Sequence, residues 1–294
     1  AILTLLRPSW EGSKLSEDRY IFLIDTSASM SSSDVKPTRL EAAKEELINQ
    51  IDQELATGSL AMVISFSDRA IVEQPYTDNR ALLRRRIQNI KPTNRTTQIE
   101  EALKVAAGLA NPGRIGTEDQ DVAAADAKPA TIMVFSDGGL GTIPDFSMGN
   151  LKPVYRPIGN ETAENIAVVA FDTAQSPTRP DELQVFARLQ NFGSEDRSVT
   201  VNLINGDSNE LLDAAQVNVP VDGIGGVEFI IGAIDSGALK LSIEEQDDLK
   251  IDNIAYTAIN PNRRARVLVL SPRNDALETV LQTQFAQQLA VVEM

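Results

Sequence analysis

The stretch Tyr20-Ile21-Phe22-Leu23-Ile24-Asp25-Thr26-Ser27-Ala28-Ser29 is an apolar run that ends abruptly in a carboxylate and hydroxyls. A strand with no polar alternation has no face for solvent, so this one reads as buried on both faces, the pattern of a parallel α/β sheet. In such sheets ligands bind in the crevice beyond the carboxyl ends of the strands. Asp25, Ser27 and Ser29 leave the strand at that end, so the run outlines a metal site as well as a fold.

A second apolar run, Thr131-Ile132-Met133-Val134-Phe135, ends in Ser136-Asp137-Gly138-Gly139 and brings another carboxylate to a strand end, with glycines that permit a sharp turn. Leu60 to Phe66 reads as a further buried strand and Ala70 to Tyr76 as its edge hairpin partner. The helix expected from about Thr38 to Leu55 places Leu40, Ala43, Leu47, Ile48 and Ile51 on one face. Asn94-Arg95-Thr96-Thr97-Gln98-Ile99-Glu100 reads as a loop entering a second helix, with Thr97 at its start. One directly bound carboxylate, neutral hydroxyls, water and a second carboxylate form an all-oxygen set that suits a hard ion such as Mg²⁺.

Each of these residues also has a purely structural reading. Asp and Ser after a strand make turns and caps. Thr97 with Glu100 has the spacing of a capping box, as do Thr38 and Glu41. Asp137 before two glycines could be a tight turn. The metal reading rests on three hydroxyls and two carboxylates delivered to the same end of one sheet.

Asp25-Thr26-Ser27-Ala28-Ser29, then Thr97, then Ser136-Asp137-Gly138 resembles the metal-ion-dependent adhesion site of von Willebrand factor A domains. The resemblance covers roughly residues 18 to 160. It implies that Ser27, Ser29 and Thr97 bind Mg²⁺ directly, with Mn²⁺ or Ca²⁺ as alternatives, and that Asp25 and Asp137 hold it directly or through water. It also implies a free coordination position that accepts an acidic side chain from a protein partner. The segment from Asp34 to Lys44 is similar to the corresponding part of bacterial aerotolerance (Bat-like) proteins. Those proteins are membrane-anchored and often associated with MoxR-type ATPases, which implies such an ATPase, or an envelope assembly factor, as partner.

Composition narrows the chemistry. The 294-residue chain has no His and no Cys, which removes Ser-His-Asp, Cys-His, zinc and dithiol mechanisms. An aspartyl-nucleophile phosphatase would want a second Asp two positions after Asp25 as acid/base, and that position is Ser27. No enzymatic activity is expected. With 42 acidic and 27 basic residues the formal charge is −15, which disfavours nucleic acid and anionic bilayer surfaces as partners. The basic cluster Arg80, Arg84, Arg85 and Arg86 lies among Leu82, Leu83, Ile87 and Ile90 at helical spacing and reads as a solvated helix face pairing with nearby acids.

The pattern changes near residue 160. From 161 to 261 apolar and polar residues alternate, as in Leu183 to Leu189, Val199 to Leu203 and Leu239 to Ile243, between turn signals such as Asn205-Gly206-Asp207. An antiparallel β-sandwich of about seven strands is expected there, and it resembles the immunoglobulin-like adhesion modules found next to A domains in bacterial surface proteins. Arg266 to Leu270 followed by Asp275 to Leu281 reads as a strand and helix opening another α/β unit over 262–294. Residues 1–17 are expected to be a linker after a missing transmembrane helix, and the segments Asn111 to Lys128 and Gly139 to Asn150 to be loops. The shortness of the latter predicts a large interface between the first domain and the sandwich, to cover the sheet. The expected architecture is a Rossmann-like α/β domain with a mostly parallel sheet, the sandwich, and a truncated third unit. Its expected role is metal-dependent binding of a protein partner at a membrane, on the cytoplasmic or periplasmic side. The alternative is a structural envelope protein whose metal only stabilises the fold.

Overall fold

The computed structural model describes residues 19–110, 129–140, 151–160, 162–175, 179, 181–234, 236–244, 247–259, 265–270, 275–280 and 286–292. The expected N-terminal linker, most of the two loops around residues 111–128 and 139–150, and residues 262–264 lie outside them. In chain order the first domain comprises β1 (Arg19–Asp25), α1 (Arg39–Gln53), β2 (Leu60–Phe66), β3 (Ala70–Thr77), α2 (Arg80–Asn89), α3 (Ile99–Ala110), β4 (Ala130–Ser136) and β5 (Leu151–Pro157).

These strands form one sheet in the order β3-β2-β1-β4-β5. β1 runs parallel to β2 and to β4, β4 runs parallel to β5, and β3 pairs antiparallel with β2 at the edge. The centre of the sheet is apolar on both faces because helices cover both. On one face Phe22, Ile24 and Phe135 pack with Leu40, Leu47 and Ile51 of α1 and with Leu83 and Ile87 of α2. On the other, Ile21, Leu23 and Ile132 pack with Leu103 and Ala106 of α3. Odd and even positions of β1 thus serve different helices, which is why the run Ile21 to Ile24 cannot alternate.

α1 starts as its sequence demands, with the Thr38 hydroxyl accepting the Glu41 N–H at 3.3 Å. In α2, Arg84 pairs with Asp52 of α1 at 2.7 Å, while Arg85 and Arg86 are exposed. At the far edge, β5 carries Pro153 and Pro157. The N–H of Ile158 points inward to the Ser136 carbonyl at 2.9 Å, so alternation turns positions 153, 155 and 157 outward. Both prolines therefore sit where no ladder bond is lost.

The second half is antiparallel. β6 (Ile166–Gln175), β7 (Glu182–Asn191), β8 (Arg197–Asn205), β9 (Leu211–Val219), β10 (Ile224–Gly232), β11 (Gly237–Ile243) and β12 (Ile254–Ile259) make two sheets, β10-β7-β6 and β12-β11-β8-β9. Val185 and Leu189 of β7 and Phe229 of β10 meet Val199, Val201 and Leu203 of β8 and Leu239 and Leu241 of β11 in a single core. Finally β13 (Ala265–Leu270), α4 (Asp275–Val280) and β14 (Ala286–Val292) form a βαβ unit whose strands pair in parallel. Among the described residues no helix is long and apolar enough to cross a membrane.

The cores of the first domain and the sandwich are separate clusters among the described residues. The described junction is made of hydrogen bonds: Ser33 donates its N–H at 2.7 Å and its hydroxyl at 3.3 Å to the carbonyl of Asp248.

Phe22 is completely buried at the middle of the sheet. Phe22→Ala is expected to cost about 3–5 kcal/mol, read as a shift in the urea midpoint; a loss below about 1 kcal/mol would contradict this packing.

Candidate metal centre

The register of β1 on β4 sets Ile24 opposite Phe135, so Asp25 and Ser136 emerge side by side. Asp25 is 0% exposed. One of its carboxylate oxygens accepts the Ser136 hydroxyl at 2.6 Å, and the other accepts the Ser27 N–H at 2.8 Å. Burial pushes the Asp25 carboxyl above its ordinary value, against the pull of those donors, with the neighbouring charge of Asp137 adding to the rise. A carboxylate in this condition attracts a cation strongly.

After Asp25 the chain turns into a short 3₁₀ helix, Ala28–Ser31. Ser27 stands at its N-cap but its side chain makes no capping bond. Its hydroxyl instead lies 3.2 Å from the hydroxyl of Ser29. Two neighbouring ligands on an octahedral Mg²⁺ with bonds near 2.1 Å stand about 3.0 Å apart, so this oxygen pair fits such an ion. The pair is also an ordinary hydroxyl–hydroxyl hydrogen bond, in which either side chain can donate.

The loop holding Thr97 is sewn across the ends of β1 and β2. The N–H and the hydroxyl of Thr93 donate to the Thr26 carbonyl at 2.7 and 2.8 Å, the N–H of Ala28 reaches the Arg95 carbonyl at 2.9 Å, and the N–H of Gln98 reaches the Ser67 carbonyl at 2.8 Å. Thr97 is half-buried between these ties. α3 begins at Ile99, later than the sequence suggested, and Glu100 pairs with Lys104 at 2.7 Å. Among the described residues neither the Thr97–Glu100 capping box nor a hydrogen bond from the Thr97 side chain to the other four candidates is present. The hydroxyl is thus close in topology but not yet engaged.

Asp137 is held by a residue that the sequence reading left without a role. Arg39, the first residue of α1, donates from Nη1 to Asp137 at 2.7 Å and from Nε to Asp34 at 2.8 Å. The other oxygen of Asp34 accepts the Asn160 N–H at 2.7 Å. Burial alone would raise the Asp34 carboxyl, but Arg39 and the Asn160 N–H outweigh it and hold it below its ordinary value. Gly159, at φ 126°, leaves room for the guanidinium: a Cβ there would lie 3.1 Å from the Arg39 Nε. The Tyr155 hydroxyl donates to the Ser136 carbonyl at 2.9 Å and closes the rim. Asp34 and Arg39 lie in a quoted segment, but nothing in their spacing signals a bridge to Asp137 across 98 positions.

The structure therefore brings Asp25, Ser27, Ser29 and Asp137 to one strand-end crevice and sets the Thr97 loop beside them. Among the described residues no three acidic side chains gather as a metal cage. Hydroxyls and water would have to complete the shell.

Residues 20–139 match the family model for the von Willebrand factor type A domain. A UPF0353 protein of Mycolicibacterium paratuberculosis is 33% identical over 120 residues, 40% of this chain and 33% of that protein. A UPF0353 protein of Nocardia farcinica is 28% identical over 128 residues, 42% of this chain and 35% of that protein. The chain thus spans about a third of the length of these curated relatives. Among solved structures, BatB from Bacteroides thetaiotaomicron is 23% identical with a TM-score of 0.35, over 47% of this chain and 65% of that one. An aerotolerance-related membrane protein from Bacteroides fragilis is 21% identical with a TM-score of 0.39, over 54% of this chain and 72% of that one.

Arg39→Ala leaves Asp34 and Asp137, both largely buried, facing each other without a cation. The loss is expected to be about 3 kcal/mol by denaturant unfolding at neutral pH, with partial recovery in Arg39→Lys, which keeps the charge but not the fork.

Proposed function

We propose, from the match of residues 20–139 to the von Willebrand factor type A family model, that the chain is a protein-interaction module whose strand-end crevice binds Mg²⁺ and, through it, an acidic side chain of a partner. The observation that carries this reading is the Ser27–Ser29 hydroxyl pair at 3.2 Å beside the fully buried Asp25. In that reading Ser27 and Ser29 supply neutral oxygens, Asp25 supplies charge within the crevice, and Thr97 is available from its loop. Asp137, already tied to Arg39, acts from the outer side. The bound ion would supply a positive charge with coordination positions to spare, and a carboxylate from outside would complete its shell. The surrounding rim would then set specificity.

Binding rather than catalysis is favoured by the residues themselves. The chain has no His or Cys, and Ser27 stands where a phosphatase would need an acid. A MoxR-type ATPase, suggested by the likeness of the Asp34 to Lys44 segment to Bat-like proteins, is the first partner to test. The Arg39–Asp137 pair favours one second reading, in which the crevice only ties the strand ends together and the sandwich does the binding.

Calorimetric titration of Mg²⁺ and Mn²⁺ into chelator-stripped protein is expected to show one saturable site, absent from Asp25→Ala when that variant is folded by circular dichroism. No heat in either protein would overturn the metal reading. With a partner in hand, Asp137→Ala is expected to abolish metal-dependent capture; a loss of stability with capture intact would support the second reading.

A further inference from the structure

Far from the crevice in sequence, four polar side chains close a ring between the start of β6 and the loop joining β11 to β12. Asn165 donates its side-chain N–H to Asp252 at 2.9 Å. The next residue, Asn253, donates its side-chain N–H to Asp247 at 2.9 Å. Asp247 in turn accepts the N–H of Ile166 at 3.1 Å, and Ile166 follows Asn165. Two carboxylates and two amides are thus pinned in a circle that straps one sheet of the sandwich to the other.

The ring leaves oxygens over. Asn165 Oδ1, Asp252 Oδ1 and Asn253 Oδ1 are buried and have no donor, three of the seven such side-chain atoms among the described residues. Asn253 is only 5% exposed. An unpaired buried polar atom costs about 1–3 kcal/mol, so three within one ring of four side chains call for a donor or a cation. All three are acceptors, so the partner must be positive or a donor. Each amide has its N–H committed to a carboxylate, which fixes which end is oxygen. Among the described residues no Lys or Arg forms an ion pair with Asp247 or Asp252. Burial, with the charge of Asp247 second to it, pushes the Asp252 carboxyl up to about 6, as expected of two acids brought together without a counter-charge.

We propose that this ring is a second cation site, of the calcium class. Three spare amide and carboxylate oxygens, with water completing the shell, suit the flexible and irregular coordination of Ca²⁺ better than the strict octahedron that Mg²⁺ demands. The site is independent of the one at Asp25. Its occupancy firms the same loop whose Asp248 carbonyl receives Ser33, four residues beyond Ser29, so calcium steadies the seat of the first domain on the sandwich.

The test uses the full chain with Asp137→Ala, which weakens the first site and leaves the ring intact. After chelation, Ca²⁺ and Mg²⁺ are titrated by calorimetry and the unfolding temperature is followed. The expected result is one Ca²⁺ per chain, a higher unfolding temperature with Ca²⁺, and little effect of Mg²⁺. Adding the near-isosteric Asp252→Asn is expected to weaken Ca²⁺ about tenfold or more. If that variant does not fold, Asn165→Ala removes a ligand from the opposite element and is expected to act likewise. No Ca²⁺ binding, or equal binding with and without these changes, would overturn the proposal and leave water as the ring's occupant.

Discussion

The first domain is organised by a carboxylate that is wholly shielded from bulk solvent. Parallel strands end together, and β1 and β4 end at Asp25 and Ser136. The buried acid is tolerated because a hydroxyl and a backbone N–H converge on it within 2.8 Å. Those donors are themselves fixed: Ser136 by the strand ladder and by Ile158 and Tyr155 on its carbonyl, Ser27 by the turn it begins. The neighbouring loop is sewn down through Thr93, Ala28 and Gln98 for the same reason, since each tie satisfies a backbone group at a strand end that would otherwise face a crevice. The geometry around Asp25 is thus a consequence of backbone accounting before it is a matter of ligands.

Much of this was legible in the chain. Short uniform apolar runs that end in turn residues read as strands covered on both faces, so Ile21 to Ile24 and Ile132 to Phe135 identify the sheet and its polar end together. Alternation after residue 160 identifies the sandwich, whose seven strands follow the turn signals. The helix start at Thr38 was legible because its cap is local. What could not be read were contacts between residues remote in sequence. Arg39 looks like any first-turn helix residue until β4 brings Asp137 to it. The spacing of Thr97 and Glu100 promised a cap, but the loop is held elsewhere and Lys104 captures the glutamate. The ring at Asn165 is assembled from segments more than eighty residues apart, so no motif marks it.

The junction between the domains illustrates how polar contacts replace apolar ones. An interface of loops relies on direction, whereas a hydrophobic one relies on area. Two separate cores joined through the carbonyl of Asp248 can each keep its own packing while their relative setting depends on a few bonds. Asp34 belongs to both arrangements, since one oxygen anchors Arg39 and the other the Asn160 N–H at the start of the connection to β6.

The prolines of β5 bear on how such domains can crowd together. A terminal strand normally offers its outward N–H groups to any passing chain, and sheets grow into fibres by that route. Pro153 and Pro157 remove two outward donors from a seven-residue strand. Concentrated on a surface or within an assembly, copies of this domain are therefore hindered from side-by-side zippering along β5.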